Sequence, residues 1–328
     1  MPSYLDKYTG RKALVTGGQG FIGSNVTAAL VAMGADVTVT DALEGDRWRG
    51  LLTDGGNFRF KKADMTDAAA MAGLVKGQDY VFSLAGLSGA GASNAAPLEH
   101  MRVNCGGQLT VLEACRAADS DVRVFFPSSQ LVYGPADGEP VKETHATEPI
   151  SIYGIHKLAV EKYFHLYHDL YGLSTSVLRI PNPYGPGHKV GLTYGIVNFF
   201  ITELLAGKTI KVFGDGSQIR DYIYISDLVD AILMTAAADG SAGRVFNTGG
   251  PEPARFGDMA KMVFDLVGSG NLEYAPWPPD ADKTEVGDIF LDKTEIETVI
   301  GWRPKTALTD GLKRTVEFYR SFLGRASA

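Results

Sequence analysis

The sequence predicts an α/β protein whose core is a doubly wound parallel sheet, with a smaller C-terminal α/β part appended. Three observations carry this prediction. Short apolar runs recur along the first 181 residues, helical-period stretches separate them, and the first run opens through a glycine-rich turn straight into a helix. Strands that alternate with helices are covered on both faces, and such sheets are parallel. In order, "KALVTGG" reads as a short buried strand, "GSNVTAALVAMG" as a helix ending at Gly34, and "ADVTVTD" as an alternating strand finishing on Asp41. Further strands are predicted at 80–86, 122–129 and 174–181, with helices around 66–76, 99–118 and 151–171. From Asn182 the texture changes: "NPYGPGHKVGLTYG" is loop-rich, and "YAPWPPDADK" reads as an exposed connection. The first domain is therefore expected over 1–181 and the smaller one over 182–219 and 249–328. Between them, "RDYIYISDLVDAILMTAA" and "RVFNTGG" (220–248) are expected to return to the main sheet.

Composition narrows the function classes. The chain has 328 residues, 45% of them hydrophobic and 21% charged, which is enough apolar material for a sizeable core. A net charge of −7 without a Lys/Arg cluster argues against nucleic-acid binding. No run of about eighteen apolar residues appears and "MPSYLDKYTGRK" lacks a signal pattern, so no membrane partner is expected and the location is read as cytoplasmic. Cys105 and Cys115 lie on one predicted helix, about 15 Å apart at a rise of ~1.5 Å per residue, and are read as reduced core thiols. No metal is expected.

The stretch "LVTGGQGFIGSNV" holds Gly17, Gly18, Gly20 and Gly23 between a strand and a helix. Each glycine costs backbone entropy, so the bare backbone must be needed. The spacing fits the dinucleotide fingerprint, which requires a tight turn, close approach of a pyrophosphate and close packing of helix on strand. The helix N-terminus then offers free N–H groups to the phosphates. Asp41, ending the second strand, would accept from the adenosine ribose hydroxyls and repel a 2′-phosphate, which favours NAD over NADP. The first domain is accordingly read as a Rossmann-type NAD-binding domain.

"SIYGIHK" places Tyr153 and Lys157 four apart on one face of a predicted helix. A phenol has a pKa of about 10 and becomes a useful base near neutrality only beside positive charge, which Lys157 and a nicotinamide ring would supply. The strand "VFFPSSQLVYG" delivers Ser129 to the carboxyl edge of the sheet, where open α/β sheets bind ligands, and its hydroxyl suits a proton relay.

Taken with "TDAL", "KADM", "SLAGLSG", "RVNCGGQLTVLEA", "RIPNPYGPG", "FGDGSQIRDYIYISDLVDAI" and "GWRP", these motifs make the chain resemble an extended short-chain dehydrogenase/reductase of the nucleotide-sugar epimerase and dehydratase group over essentially its whole length. The resemblance implies a catalytic triad of Ser129, Tyr153 and Lys157. It implies a cofactor site made by Gly17, Gly20, Phe21, Ile22, Gly23, Asp41, Ala42, Leu43, Asp64, Met65, Leu84, Ala85, Gly86, Asn104, Tyr153, Lys157 and Ile180. It further implies substrate contacts from Ser88, Ser129, Asn182, Val197, Phe213, Arg220 and Asp288. Arg220 suits a diphosphate because a guanidinium gives two directed donors; the alternative is an ion pair with Asp221 or Asp227. Family resemblance also implies a homodimer that pairs the helices near 99–118 and 151–171, which carry Tyr163, Phe164, Tyr167 and Tyr171.

Within the group, 4,6-dehydratases resemble one another in an Asp-Glu pair just after the position of Ser129. Here those positions are Gln130 and Leu131, and leucine carries no proton. "AGL" at 85–87 and "NP" at 182–183 look instead like the UDP-galactose 4-epimerase subgroup. The expected activity is therefore NAD-dependent C4 epimerisation of a nucleotide sugar, a UDP-sugar first, through a 4-keto intermediate with Tyr153 as base. The alternatives are a 4,6-dehydratase, an NAD(P)H-dependent 4-keto-sugar reductase, and a non-catalytic dinucleotide sensor, against which the intact triad speaks. Two departures leave the nucleotide and sugar open: Ser88 stands where UDP-hexose epimerases carry Lys, and Glu285, three residues before Asp288, stands where they carry Arg. Lys283, Arg255 or His188 would have to compensate, the alternative being that each is a solvated surface residue.

Overall fold

A computed structural model describes residues 4–45, 57–118, 121–136, 138–188, 195–278 and 285–326. The strand β1 (Lys12–Thr16), helix α1 (Phe21–Ala32) and strand β2 (Asp36–Asp41) form the first βαβ unit. They are followed by β3 (Phe58–Lys62), α2 (Ala68–Val75), β4 (Tyr80–Ser83), α3 (Ala90–Ala95), α4 (Pro97–Met101), α5 (Gln108–Ala117), β5 (Arg123–Ser129), α6 (Ile152–Tyr171) and β6 (Ser174–Ile180). With β11 (Arg244–Asn247) these strands build one seven-stranded sheet in the order β11-β6-β5-β4-β1-β2-β3, every neighbouring pair parallel. The chain winds one way from β1 to β3 and then crosses to β4 on the other side of β1. The crevice between the carboxyl ends of β1 and β4 is thus the topological switch point, where such sheets bind ligands.

Period-two alternation explains why this sheet is stable in the middle. Val15, Phe82, Phe125 and Leu178 point into one core with Val26 and Leu30 of α1. Their neighbours Leu14, Val81, Phe126 and Val177 point into the other, with Leu112 of α5 and Val160 and Phe164 of α6. Both faces are apolar because both are covered. At the far edge, β3 was not among the predicted strands. Its Phe58 and Phe60 alternate with Arg59, Lys61 and Lys62, and its exposed cations blunt a free sheet edge while hiding the strand in the sequence.

The segment read as one helix over 99–118 is instead three joined pieces: α4, a π-helical stretch Arg102–Gly107, and α5. Cys105 and Cys115 on it are buried free thiols.

The rest of the chain contributes β7 (Asn182–Tyr184), α7 (Ile196–Leu205), β8 (Thr209–Phe213), β9 (Ile219–Arg220), β10 (Tyr222–Tyr224) and α8 (Ile225–Ala237) before β11. After it come β12 (Ala254–Arg255), α9 (Phe256–Val267), β13 (Asn271–Ala275), α10 (Thr294–Ile300) and α11 (Leu308–Ala326). β11 pairs with β6 and α8 packs on α1 and the sheet, whereas β10 pairs with β7 outside it. β8 and β13 pair beside α7, α9 and α11. Among the described residues no helix is long and apolar enough to cross a membrane.

Candidate active site

The glycine-rich turn after β1 shows why each glycine is there. Gly17 has φ +69°, and a Cβ on it would lie 2.6 Å from the Ala85 Cα, so the turn touches the backbone of the loop after β4. A Cβ on Gly18 would meet Val39 of β2 at 2.1 Å, and one on Gly23 would meet the Gly17 carbonyl oxygen at 2.2 Å. These three serve close packing. Gly20 differs: a Cβ there would meet only the Gly17 oxygen, at 3.0 Å, and Gly20 caps α1 with no side chain over the helix end. The first turn of α1 is therefore left open at its positive end, preceded by a residue with no side chain, as a pyrophosphate requires.

Asp41 closes this cradle at the end of β2. Its carboxylate accepts from the Gln19 N–H at 3.0 Å and the Leu43 N–H at 3.1 Å, which fixes its direction. Leu43 stands 71% exposed beside it. Asp64 accepts from the Thr66 N–H and hydroxyl, both at 2.9 Å, and the first of these bonds holds its carboxyl below the usual range. Met65 is buried against Gly107, where a Cβ would clash with it. Asn104, on the π-helical stretch, spends its amide on Leu87, accepting from its N–H at 2.7 Å and donating to its carbonyl at 2.9 Å. It therefore shapes the 84–88 loop from behind. The cradle, the bare helix end and the oriented carboxylate together fit NAD.

Contacts at the end of β5 and the start of α6 set where Ser129, Tyr153 and Lys157 lie. Ser129 ends β5, and its hydroxyl accepts from the Leu131 N–H at 3.2 Å. Ser151 caps α6 by accepting from the Gly154 N–H at 3.1 Å, and the N–H groups of Ile152 and Tyr153 are met by Asn94 and Ser93. Gly154 is required at this point, because a Cβ would lie 2.2 Å from the Leu131 carbonyl oxygen. That contact presses the start of α6 onto the turn after Ser129, and so brings Tyr153 to the same sheet edge. One turn on, the Lys157 ammonium donates to the Pro127 carbonyl at 2.5 Å and lies 5.6 Å from the centre of the Tyr153 ring. Burial pushes the Tyr153 phenol up to about 12 and the Lys157 ammonium down to about 8, the latter opposed by the Glu161 carboxylate. In the protein alone, then, the phenol is a poor base, and added positive charge is what would lower it.

The expected substrate residues are distributed less evenly. Ser88 is exposed on the loop after β4; Ile180, expected at the cofactor rather than the substrate, is buried at the end of β6. Asn182 donates to the Asp221 carbonyl at 2.8 Å, Phe213 packs on Trp277, and Asp288 accepts from the Ile219 N–H at 2.7 Å. Val197 is buried on α7, 1% exposed within the core. Arg220 pairs with neither Asp221 nor Asp227. It is held by the Glu285 carboxylate and the Gly287 carbonyl, while Asp221 accepts from the Gly250 and Leu291 N–H groups and Asp227 from Lys305 and Thr306. Arg255 is exposed on β12, opposite Ile219, and His188 is buried with its ring 5.1 Å from that of Phe21. Lys283 lies outside the described residues.

A glycine cradle at the switch point with a Tyr-Lys pair on the facing helix defines a dinucleotide-dependent enzyme of the short-chain dehydrogenase type. The comparisons narrow that class: residues 13–249 match the NAD dependent epimerase/dehydratase family, and the chain belongs to it. It is 34% identical to a UDP-glucose 4-epimerase of Mycolicibacterium smegmatis over 94% of this chain and 99% of that one. The solved UDP-glucose 4-epimerase of Thermotoga maritima, with UDP-glucose, superposes with a TM-score of 0.87 at 33% identity, covering 95% of this chain and 99% of that one. A dTDP-glucose 4,6-dehydratase of Streptomyces venezuelae, solved with NAD, superposes at 0.86 and 30% identity over 96% and 98%.

Proposed function

We propose that the protein is an NAD-dependent nucleotide-sugar 4-epimerase acting on a UDP-sugar. The observation that carries this over dehydration is the turn after Ser129: Gln130 and Leu131 follow it, and neither supplies the acid and base needed to remove water across C5 and C6. NAD, when bound, takes up and returns the C4 hydrogen with its electron pair. Gly17, Gly20 and Gly23 with the start of α1 would hold its pyrophosphate, and Asp41 its ribose. Tyr153 takes the proton from the 4-hydroxyl, Ser129 at the end of β5 helps to relay it, and Lys157 holds the phenolate by its charge. The same phenol returns the proton after the ketone has presented its other face. Asn182, Phe213, Arg220 and Asp288 would line the nucleotide-diphosphate side.

The reading includes a homodimer. Ile155, Leu166 and Leu170 form an exposed apolar stripe along α6, beside Leu98 and Met101 of α4, a face that a second copy would cover. The test of function is proton NMR of UDP-, dTDP-, GDP- and CDP-sugars incubated with the protein in deuterated water without added cofactor. A C4-inverted product without carbon-bound deuterium is expected. A 4-keto-6-deoxy product carrying deuterium would instead make it a dehydratase.

A further inference from the structure

Beneath the candidate triad lies a buried polar network that the reaction just described does not use. Glu161 sits on α6 one turn beyond Lys157 and two beyond Tyr153, and it is 2% exposed. Its carboxylate accepts from Arg179 of β6, at 3.0 Å from Nε and 2.6 Å from Nη2, and from the hydroxyl of Ser128. Arg179 continues the network, donating to the Tyr133 hydroxyl at 2.6 Å and to the Glu143 carbonyl; Tyr133 donates to Asn247 of β11 at 2.9 Å.

A buried ion pair brings little net stability, because desolvation offsets the Coulomb gain. What this one does is geometric. Ser128 directly precedes Ser129, Arg179 directly precedes Ile180, and Glu161 shares a helix with Tyr153 and Lys157. One carboxylate thus ties together the three elements that carry the site. It is also the anionic group nearest in sequence to Lys157 on their shared helix. The other ionisable groups around the pair are Tyr153 on α6, Cys105 on the 102–107 stretch, Arg179 on β6, and Tyr133 and Glu143 at the far end of Arg179. Of the two carboxylates, Glu161 and Glu143, the latter lies beyond Arg179.

We infer that Glu161 is a positioning residue for the triad: its carboxylate fixes α6 against the ends of β5 and β6 and places a negative charge one helical turn from Lys157. This rests on the triad reading above, but not on the identity of the sugar. Burial alone pushes the Lys157 ammonium down, and the Glu161 charge opposes that. Remove the carboxylate, and the buried ammonium of Lys157 loses the charge that opposes its desolvation. Remove the guanidinium, and it faces an unopposed carboxylate. The two deletions must therefore move Lys157 in opposite directions.

The test is the titration of Lys157 in the full-length protein, with and without NAD, by carbon NMR of 13Cε-lysine, the resonance assigned with Lys157→Arg. Glu161→Gln is expected to lower the midpoint by about 1 pH unit and Arg179→Met to raise it by about as much. Midpoints within about 0.3 units of wild type, or two shifts of the same sign, would overturn the inference, since a purely structural pair changes stability without a signed shift. If one variant does not fold, the sign of the other decides. If neither folds, Ser128→Ala decides, because it deletes one hydroxyl and no charge. A loss of about tenfold in kcat at unchanged KM is expected from a loosened β5 end, and native kcat would overturn the proposal. The titration needs no sugar, so its failure is separable from a wrong substrate.

Discussion

The close contact at Gly17 yields a prediction whose size can be worked from the fold. Replacing Gly17 by Ala adds two costs. The residue has φ +69°, and an L-residue held there loses about 1–2 kcal/mol. Its Cβ would also lie 2.6 Å from the Ala85 Cα and 2.7 Å from the Ala85 nitrogen, so that loop must retreat by about 0.8 Å before ordinary contact at 3.4 Å is reached. Overpacking against backbone costs about 1–3 kcal/mol more. The sum is about 2–5 kcal/mol of unfolding free energy. Gly10 separates the two terms, because it has φ +70° and nothing within 4 Å of an added Cβ. Gly10→Ala should therefore lose only the conformational part. Gly73, on the exposed side of α2 with ordinary helical φ and open space, should gain about 0.5–1 kcal/mol on substitution by Ala. Denaturant unfolding of the three variants, without NAD so that ligand binding does not mask the loss, gives the order directly. If the loop after β4 borders bound NAD as proposed, Gly17→Ala should in addition retain less NAD on purification. A Gly17→Ala variant that loses no more stability than Gly10→Ala would refute the argument that the turn is bare in order to touch that loop.

Tyr153→Phe removes the proposed base and nothing else, so turnover should fall at least 100-fold while NAD stays bound, read by sugar NMR and by the absorbance of released cofactor. Lys157 is held down to about 8 by burial, below its unfolded value of about 10.4, so the unfolded chain binds more protons between those pH values and this group makes stability rise with pH across that window. Lys157→Met should flatten that rise in unfolding curves taken from pH 7.5 to 10. Glu285→Gln releases the Arg220 guanidinium from its carboxylate, and calorimetry should find UDP binding several-fold tighter with a steeper salt dependence. Gel filtration at micromolar concentration should return a dimer, and Leu166→Glu with Leu170→Glu a monomer.

What was legible in the sequence was what is local. The glycine turn, Asp41 at a strand end, Ser129 at another and the four-residue spacing of Tyr153 and Lys157 are all set by a few neighbouring residues, and the fold brings them to one sheet edge because parallel strands share a carboxyl end. The seventh strand was legible too, since "RVFN" carries its own apolar run. β3 was not, because an edge strand is built partly from cations that read as surface. Nor was the role of Asn104, whose amide turned out to hold Leu87 from a helix distant in sequence. The same limit governs the two most consequential ion pairs. Glu161 stands at a helical spacing from Lys157 that the sequence does display, yet its partner Arg179 is 18 residues away on another element. Glu285 read as a lost cation. In the fold it captures the cation expected at the diphosphate, from 65 residues away. An anionic substrate that used Arg220 would therefore compete with a carboxylate already seated there. The strength of that pair, and not the presence of the arginine alone, would then set how well such an anion is held, and no motif that records residue types alone can express it.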